Sequence, residues 1–166
     1  MKTKKLVITA LFIALSFVGA NIKIMSTIAF DSMPGFLGAL LFGPVYGAFI
    51  GAIGHFITAL LQGFPLTLPV HLIIMIGMAV TMFVFGYVYK YFSKKNYGAA
   101  VILSLIVGVI INGPLLLIVL EPLLIPILGK PAFIAYFPVL SLIAAINIII
   151  AQGIYKVLPT KYRLWK

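Results

Sequence analysis

Long apolar runs along this sequence are separated by short connections that are polar or rich in glycine and proline. A helix that crosses the hydrocarbon core of a bilayer needs about 20 predominantly apolar residues, and several runs approach or reach that length. Strict alternation of apolar and polar residues, the pattern of membrane barrels, is absent. We therefore predict an all-α membrane protein, with residues 1–166 forming a single domain and a bundle of six transmembrane helices.

The breaks between the apolar runs set the predicted helix boundaries. The second run is the shortest, since it starts near Pro34 and stops at Gly43-Pro44 after about ten residues, which rise only about 15 Å. After residue 120, three prolines and Gly129 are expected to break any helix as far as residue 132. The predicted helices cover residues 6–20, 34–42, 45–61, 70–92, 99–120 and 133–157.

Composition agrees with a membrane protein. Hydrophobic residues make up 64% of the 166 residues and charged residues 8%, and the mean hydropathy is +1.27. A soluble domain of this size cannot bury so much apolar surface. The net charge of +10 comes from basic residues at the ends of the apolar runs, which form no continuous patch. We therefore predict no nucleic-acid partner.

The basic residues also predict an orientation. They flank the start of the chain, the turn after the fourth helix and the end of the chain. If all six helices cross the membrane, these three regions share one side, and the positive-inside rule makes that side the cytoplasm, together with both termini. Lys23 and Lys130 then lie outside, in the connections over residues 21–32 and 121–132, and residues 63–69 form the third outer connection.

A polar face follows the outer half of the third helix. His55, Thr58, Ala59 and Gln62 are spaced i, i+3, i+4 and i+7, so they share one side of a helix. Polar side chains inside a membrane are costly, so we predict that His55 and Gln62 contact a substrate, with a structural hydrogen bond as the alternative for His55. The inner half of this helix carries small residues that favour close helix packing: Gly47, Ala48 and Gly51.

The remaining polar residues of the apolar runs fall at three depths. His71 opens the fourth helix on the outer side and is predicted to contact the same ligand, with a role at the helix terminus as the alternative. Asn112 and Asn147 lie deeper, where each either contacts the ligand or forms a hydrogen bond between helices. Asp31 precedes the second helix, where we expect it or Ser32 to cap the helix.

No pattern in the chain favours catalysis. A P-loop and the hydrolase and metalloprotease motifs are absent, so we predict no enzymatic activity and no cofactor. There is no cysteine, and two histidines without nearby acids make a weak metal site, so no metal is predicted. Because there are only two acids and no internal repeat, a stand-alone secondary transporter is disfavoured. It remains a rival interpretation, as does a structural subunit of a membrane complex.

Two motifs around the second helix carry a family resemblance. They read Asp31-x-x-Pro34-Gly35 and Phe42-Gly43-Pro44-x-x-Gly47-Ala48-x-x-Gly51. With six predicted helices and an inside-positive charge pattern, they resemble the substrate-binding S components of energy-coupling factor (ECF) vitamin transporters. Ala10 and Ala14 on the first helix match the Ala-x-x-x-Ala motif with which that family docks on its transmembrane coupling protein.

The resemblance implies a function and a set of partners. The chain would be a multi-pass protein of the bacterial plasma membrane that captures a vitamin or vitamin precursor from outside. It would then associate, within the lipid bilayer, with the coupling protein and two ATPase subunits, and it would topple to carry the ligand inward. ATP hydrolysis would come from the partners and not from this chain.

The resemblance is less informative about the substrate. Residues 63–71 are similar to the subfamily that includes the α-ribazole and pantothenate S components. α-Ribazole is the first candidate, because its benzimidazole ring can stack on Phe30, Phe64 and Tyr136. Pantothenate or another B vitamin is the alternative. The carboxylate of pantothenate would need a cation, for which Lys23 is the first candidate and His71 the second.

Overall fold

The structure is a computed structural model that describes residues 2–21, 23–24, 28–29, 31–163 and 165. Within these residues the fold is a bundle of six helices, which confirms the predicted all-α class. Two-residue strands, β1 (Lys23–Ile24) and β2 (Ile28–Ala29), form an antiparallel pair between the first two helices. The helices are α1 (Lys2–Ala20), α2 (Met33–Phe42), α3 (Pro44–Leu61), α4 (Leu68–Ser93), α5 (Tyr97–Leu128) and α6 (Lys130–Val157).

Helix length divides the bundle into two groups. Helices α3 to α6 are long and apolar enough to cross a membrane, whereas α1 has a shorter apolar part and α2 has only ten residues. The short helix α2 occupies the centre, because α1, α3, α4 and α6 all pack against it. Each of its residues from Pro34 to Phe42 is buried. A helix that is apolar on every side is stable only when it is surrounded in this way.

The link between α2 and α3 is a single residue, Gly43. Proline restricts the residue before it, so Pro44 ends α2 and opens α3. Gly43 has a φ of 108°, which other residues rarely adopt. A Cβ atom at this position would also lie 3.1 Å from the ring of Trp165. Glycine is therefore required here both by the backbone and by the available space.

The small residues of α3 are contact points for three different helices. A Cβ atom on Gly47 would lie 2.4 Å from the Cβ atom of Ala39 in α2. Gly51 meets Met82 of α4, and Gly54 meets Ser16 of α1 at a similar separation. These glycines let the backbone of α3 approach its neighbours closely, which is the packing role predicted for the small residues.

The predicted break after residue 120 is wrong. Helix α5 continues through Pro122 and Pro126 to Leu128, and only Gly129 separates it from α6. Both prolines are exposed, while Leu120 and Leu124 on the other side of the helix are buried. The packing of these leucines maintains the helix, and membrane helices tolerate proline where neighbouring groups satisfy the freed carbonyls.

The bundle has two ends, and contacts between distant segments characterise one of them. At one, which we call the basic end, the Nζ atom of Lys5 lies 5.4 Å from the ring centroid of Tyr46. At this same end Lys90 lies 3.9 Å from the ring centroid of Trp165, whose backbone N–H donates to the carbonyl of Leu41. We call the opposite end, where α2, α4 and α6 begin and α3 and α5 finish, the site end.

Candidate functional site

A chain of hydrogen bonds joins three helices at the site end. Asp31 precedes α2, His55 lies in the fourth turn of α3 and His71 lies in the first turn of α4. The Nδ1 atom of His55 lies 3.1 Å from Oδ2 of Asp31 and donates to it, because a carboxylate can only accept. The Nε2 atom of His55 shares a second hydrogen bond, also 3.1 Å long, with Nδ1 of His71. Two hydrogen bonds thus link the carboxylate of Asp31 to His55 and His55 to His71.

Two buried polar atoms beside this chain have no hydrogen-bond partner among the described residues. They are Nε2 of His71, a side chain that is 8% exposed, and Oγ1 of Thr58, a residue that is 5% exposed. Thr58 lies one turn after His55 on α3. Unpaired buried polar atoms are rare because each costs free energy, so their position at a cavity is informative.

A cavity of about 160 Å³ lies beside these groups, lined by the residues just before α2 and by α3, α4, α5 and α6. Most of its wall is apolar, as in other small-molecule sites, with a limited set of polar groups. Among the described residues, no lysine or arginine lines it, and Asp31 is its one acid. The polar lining consists of Asp31, Ser32, His55, Thr58, Gln62, His71, Asn112 and Tyr136.

The fifth helix changes its winding where it passes the cavity. Residues Ile111–Leu115 form a π-helical segment between two α-helical parts, Tyr97–Ile110 and Leu116–Leu128. Pro114 lies inside the segment and lacks an N–H donor, which accounts for the irregular winding. Such segments are frequent at functional sites, and this one places Asn112 and Gly113 at the cavity wall.

A comparison with known protein families identifies the family of this chain. Residues 4–159 match the family described as the ECF transporter, substrate-specific component. The chain belongs to this family. Separate comparisons with curated proteins and with solved structures returned no match. As a substrate-specific (S) component, the protein is a non-catalytic, multi-pass membrane subunit that binds a substrate and works with an ECF module.

Five of the residues predicted from the sequence of this S component lie around the cavity. His55 and Gln62 come from α3, His71 from α4, Asn112 from α5 and Tyr136 from α6. Ala59, which completes the predicted polar face of α3, also lines it. These residues are distant in sequence, and the fold brings them together from four helices.

Of the other four predicted site residues, two lie away from the cavity wall and two fall outside the described side chains. The ring of Phe64 lies 5.9 Å from His71 and 6.0 Å from Phe56, so Phe64 packs behind His71 and not at the cavity wall. Asn147 is fully buried one turn beyond the cavity residues Ile143 and Ala144, and its Nδ2 atom donates to the carbonyl of Ile143. Lys23 belongs to β1, whose side chains are not described, and Phe30 lies outside the described residues.

Asp31 is the residue whose role sequence reasoning missed. The N-cap of α2 is Ser32, and its side chain makes no capping hydrogen bond. Asp31 instead bonds His55, 24 residues away, so the expectation that it caps α2 and that the histidines lack a nearby acid is wrong. A signal was present, since Asp31 is one of only two acids in an apolar chain. Within the described part of the chain, no three potential ligands are grouped to hold a metal ion.

The predicted docking residues of the S component lie on α1. Ala10 and Ala14 are both exposed, on a side of the helix that also presents Leu6 and Leu11. Residues facing the bundle, such as Ser16 and Ala20, are fully buried. Helix α1 therefore has an exposed apolar surface with small residues, the kind of surface that another helix can approach closely.

Proposed function

We propose that this S component captures a small vitamin-like solute in the cavity at the site end. The observation that carries the proposal is the Asp31–His55–His71 chain of hydrogen bonds, with unpaired atoms of His71 and Thr58 at the wall of an otherwise apolar cavity. An apolar ring of a substrate gains free energy on the apolar wall, and its polar groups satisfy the unpaired atoms.

α-Ribazole remains our first candidate for the substrate. The fixed charge of the described cavity lining is negative, at Asp31, and no described cation lines the cavity. A carboxylate such as that of pantothenate would be placed near Asp31 without a counter-charge, which is unfavourable in an apolar site. A neutral nucleoside avoids this cost, since its hydroxyl groups can bond His71, Thr58 and Gln62 while its benzimidazole lies near Tyr136.

The proposed orientation and partners complete the transport cycle. The site end faces the outside and the basic end faces the cytoplasm, in line with the positive-inside rule. In the bacterial plasma membrane, α1 docks through Ala10 and Ala14 on the coupling protein, which is joined to two ATPase subunits. This chain binds the substrate, and ATP hydrolysis by the ATPase subunits supplies the energy for its release into the cytoplasm.

Ligand binding by the purified chain tests the substrate proposal. Mass spectrometry of the protein purified alone should detect a bound small molecule, and titration should show tight binding of α-ribazole and weak or no binding of pantothenate. Tight binding of pantothenate would contradict the charge argument, and no binding of α-ribazole would contradict the substrate proposal. Uptake into liposomes that contain this chain alone would favour the secondary transporter instead.

Bulky substitutions on α1 test the docking proposal. Replacing Ala10 and Ala14 together by tryptophan should abolish uptake in cells that contain the ECF module, while binding of α-ribazole to the purified variant is retained. Ile102→Trp, at a residue of α5 that is 57% exposed, is the matched control and should leave uptake unchanged. Normal uptake by the α1 variant would show that docking uses another surface.

A further inference from the structure

The Asp31–His55–His71 chain connects a fixed charge to a single unpaired nitrogen. The carboxylate of Asp31 can only accept, so the proton of that bond is on Nδ1 of His55. A neutral histidine carries one ring proton, which leaves Nε2 of His55 as an acceptor. The proton of the second bond must then come from Nδ1 of His71. By the same rule Nε2 of His71 carries no proton.

We infer that Asp31 fixes the tautomers of both histidines, so that Nε2 of His71 is a hydrogen-bond acceptor for a donor group of the substrate. This inference deepens the proposed function and rests on it only for the substrate itself. His71 lines the cavity, and its Nε2 atom is buried without a partner among the described residues. The site therefore selects ligands that present an O–H or N–H group at this atom.

The tautomers depend on how many protons the two histidines carry. If His55 carried a second proton, its Nε2 atom would donate to Nδ1 of His71. The proton of His71 would then lie on its own Nε2 atom, which would become a hydrogen-bond donor. The two arrangements thus make opposite demands on the substrate, and they differ in the number of protons on His55. Asp31 acts through the histidines, so it is a positioning residue.

Nitrogen NMR of the ligand-free protein tests the tautomers directly. The chain has only two histidines, so isotope-labelled histidine reports on this site alone. Chemical shifts separate protonated from unprotonated ring nitrogens, and we expect both histidines of the full chain to show a protonated Nδ1 and an unprotonated Nε2. A doubly protonated histidine, or a protonated Nε2 on either ring, would overturn the inference.

A matched pair of variants tests the role of Asp31. Asp31→Asn replaces an obligate acceptor by an amide that can donate or accept, so the single pattern should give way to a mixture of tautomers. Glu121→Gln makes the same chemical change at the other acid of the chain, which is exposed on α5, and should leave the spectrum unchanged. An unchanged spectrum of Asp31→Asn would show that Asp31 does not set the tautomers. The wild-type spectrum decides the tautomers even if this variant does not fold.

Binding measurements test the consequence for the substrate. The probes are α-ribazole and three deoxy analogues, each lacking one ribose hydroxyl group. For the wild type, removal of one particular hydroxyl should weaken binding by about tenfold, because it leaves Nε2 of His71 unpaired. In His71→Leu the same analogue and α-ribazole should bind within about twofold of each other. Discrimination that is absent in the wild type, or that persists in His71→Leu, would overturn the selection. If α-ribazole does not bind, the substrate proposal fails, while NMR still decides the tautomers.

Discussion

The two ends of helix α2 meet very different surroundings. At the end of the helix, Gly43 contacts Trp165, and a methyl group on Gly43 would lie 3.1 Å from the ring, closer than an ordinary contact. At its start, Asp31 and Ser32 border a cavity of about 160 Å³. Ten residues rise only about 15 Å, half of a bilayer core. The short length of α2 therefore leaves space between its longer neighbours at the site end, and the chain places its polar groups around that space.

The contrast separates stability from binding. Around α2 the core consists of closely packed apolar side chains such as Phe36, Met82 and Phe85, which stabilise the fold. Around the cavity, buried atoms of Thr58 and His71 lack partners, and each costs free energy until a ligand supplies one. Substitutions at the packed contacts should thus affect mainly the free energy of unfolding, and substitutions at the cavity mainly the affinity.

The largest effect is expected where α3 touches α2. In Gly47→Ala the new methyl group would lie 2.4 Å from the Cβ atom and 2.7 Å from the Cα atom of Ala39, so the helices must separate. We expect the free energy of unfolding in detergent to fall by about 3 kcal/mol. In the control, Gly153→Ala, the methyl group meets nothing within 4 Å, and the better helix propensity of alanine should raise stability by up to about 1 kcal/mol. Equal effects of the two variants would contradict the close packing.

At the cavity, removal of a hydroxyl group should have opposite effects on stability and binding. Thr58→Val replaces an unpaired buried oxygen by a methyl group, so the unfolding free energy of the ligand-free protein should rise by about 1 kcal/mol. Affinity for α-ribazole should fall by about tenfold if Thr58 bonds the substrate. Both quantities can be measured by thermal unfolding with and without ligand.

The control for this substitution is Thr81→Val on α4. Thr81 is equally buried, but its hydroxyl donates to the carbonyl of Gly77, 2.7 Å away, and it does not line the cavity. This variant should leave the affinity unchanged and should not gain stability. A gain in stability that is the same for both variants would mean that Thr58 is not a group held ready for a ligand.

The fold was largely predictable because the signals that define it are local. Runs of apolar residues, together with Pro34, Pro44 and Gly43, placed the helices to within a few residues. The failure at Pro122 and Pro126 also has a physical reason. Proline breaks a helix when its ring and missing donor cannot be accommodated, and that depends on which side of the helix is buried. Exposure of both prolines is a tertiary fact that no local pattern reports.

The site was less predictable, because its parts are distant in sequence. The helical spacing of His55, Thr58 and Gln62 identified one wall of the cavity, since one helix face is a local property. The bond between Asp31 and His55 depends on where α2 begins relative to α3, and local capping rules favoured a different role for Asp31. Phe64 has a φ of 52° in the turn after α3, a backbone conformation that sequence reasoning did not anticipate.

The smallest effect is expected at the basic end, and it tests whether the two ends are independent. Trp165 covers Gly43 and lies beneath Lys90, whose Nζ atom is 3.9 Å from the ring centroid. Trp165→Ala should lower the free energy of unfolding by about 1 kcal/mol, through loss of the cation–π contact and of ring packing. Trp165→Phe keeps a ring and should lose less. Affinity for α-ribazole should be unchanged in both variants, because α2 and the packed core separate this contact from the cavity. A change in affinity that follows the loss of stability would show that the packed end also controls the shape of the site.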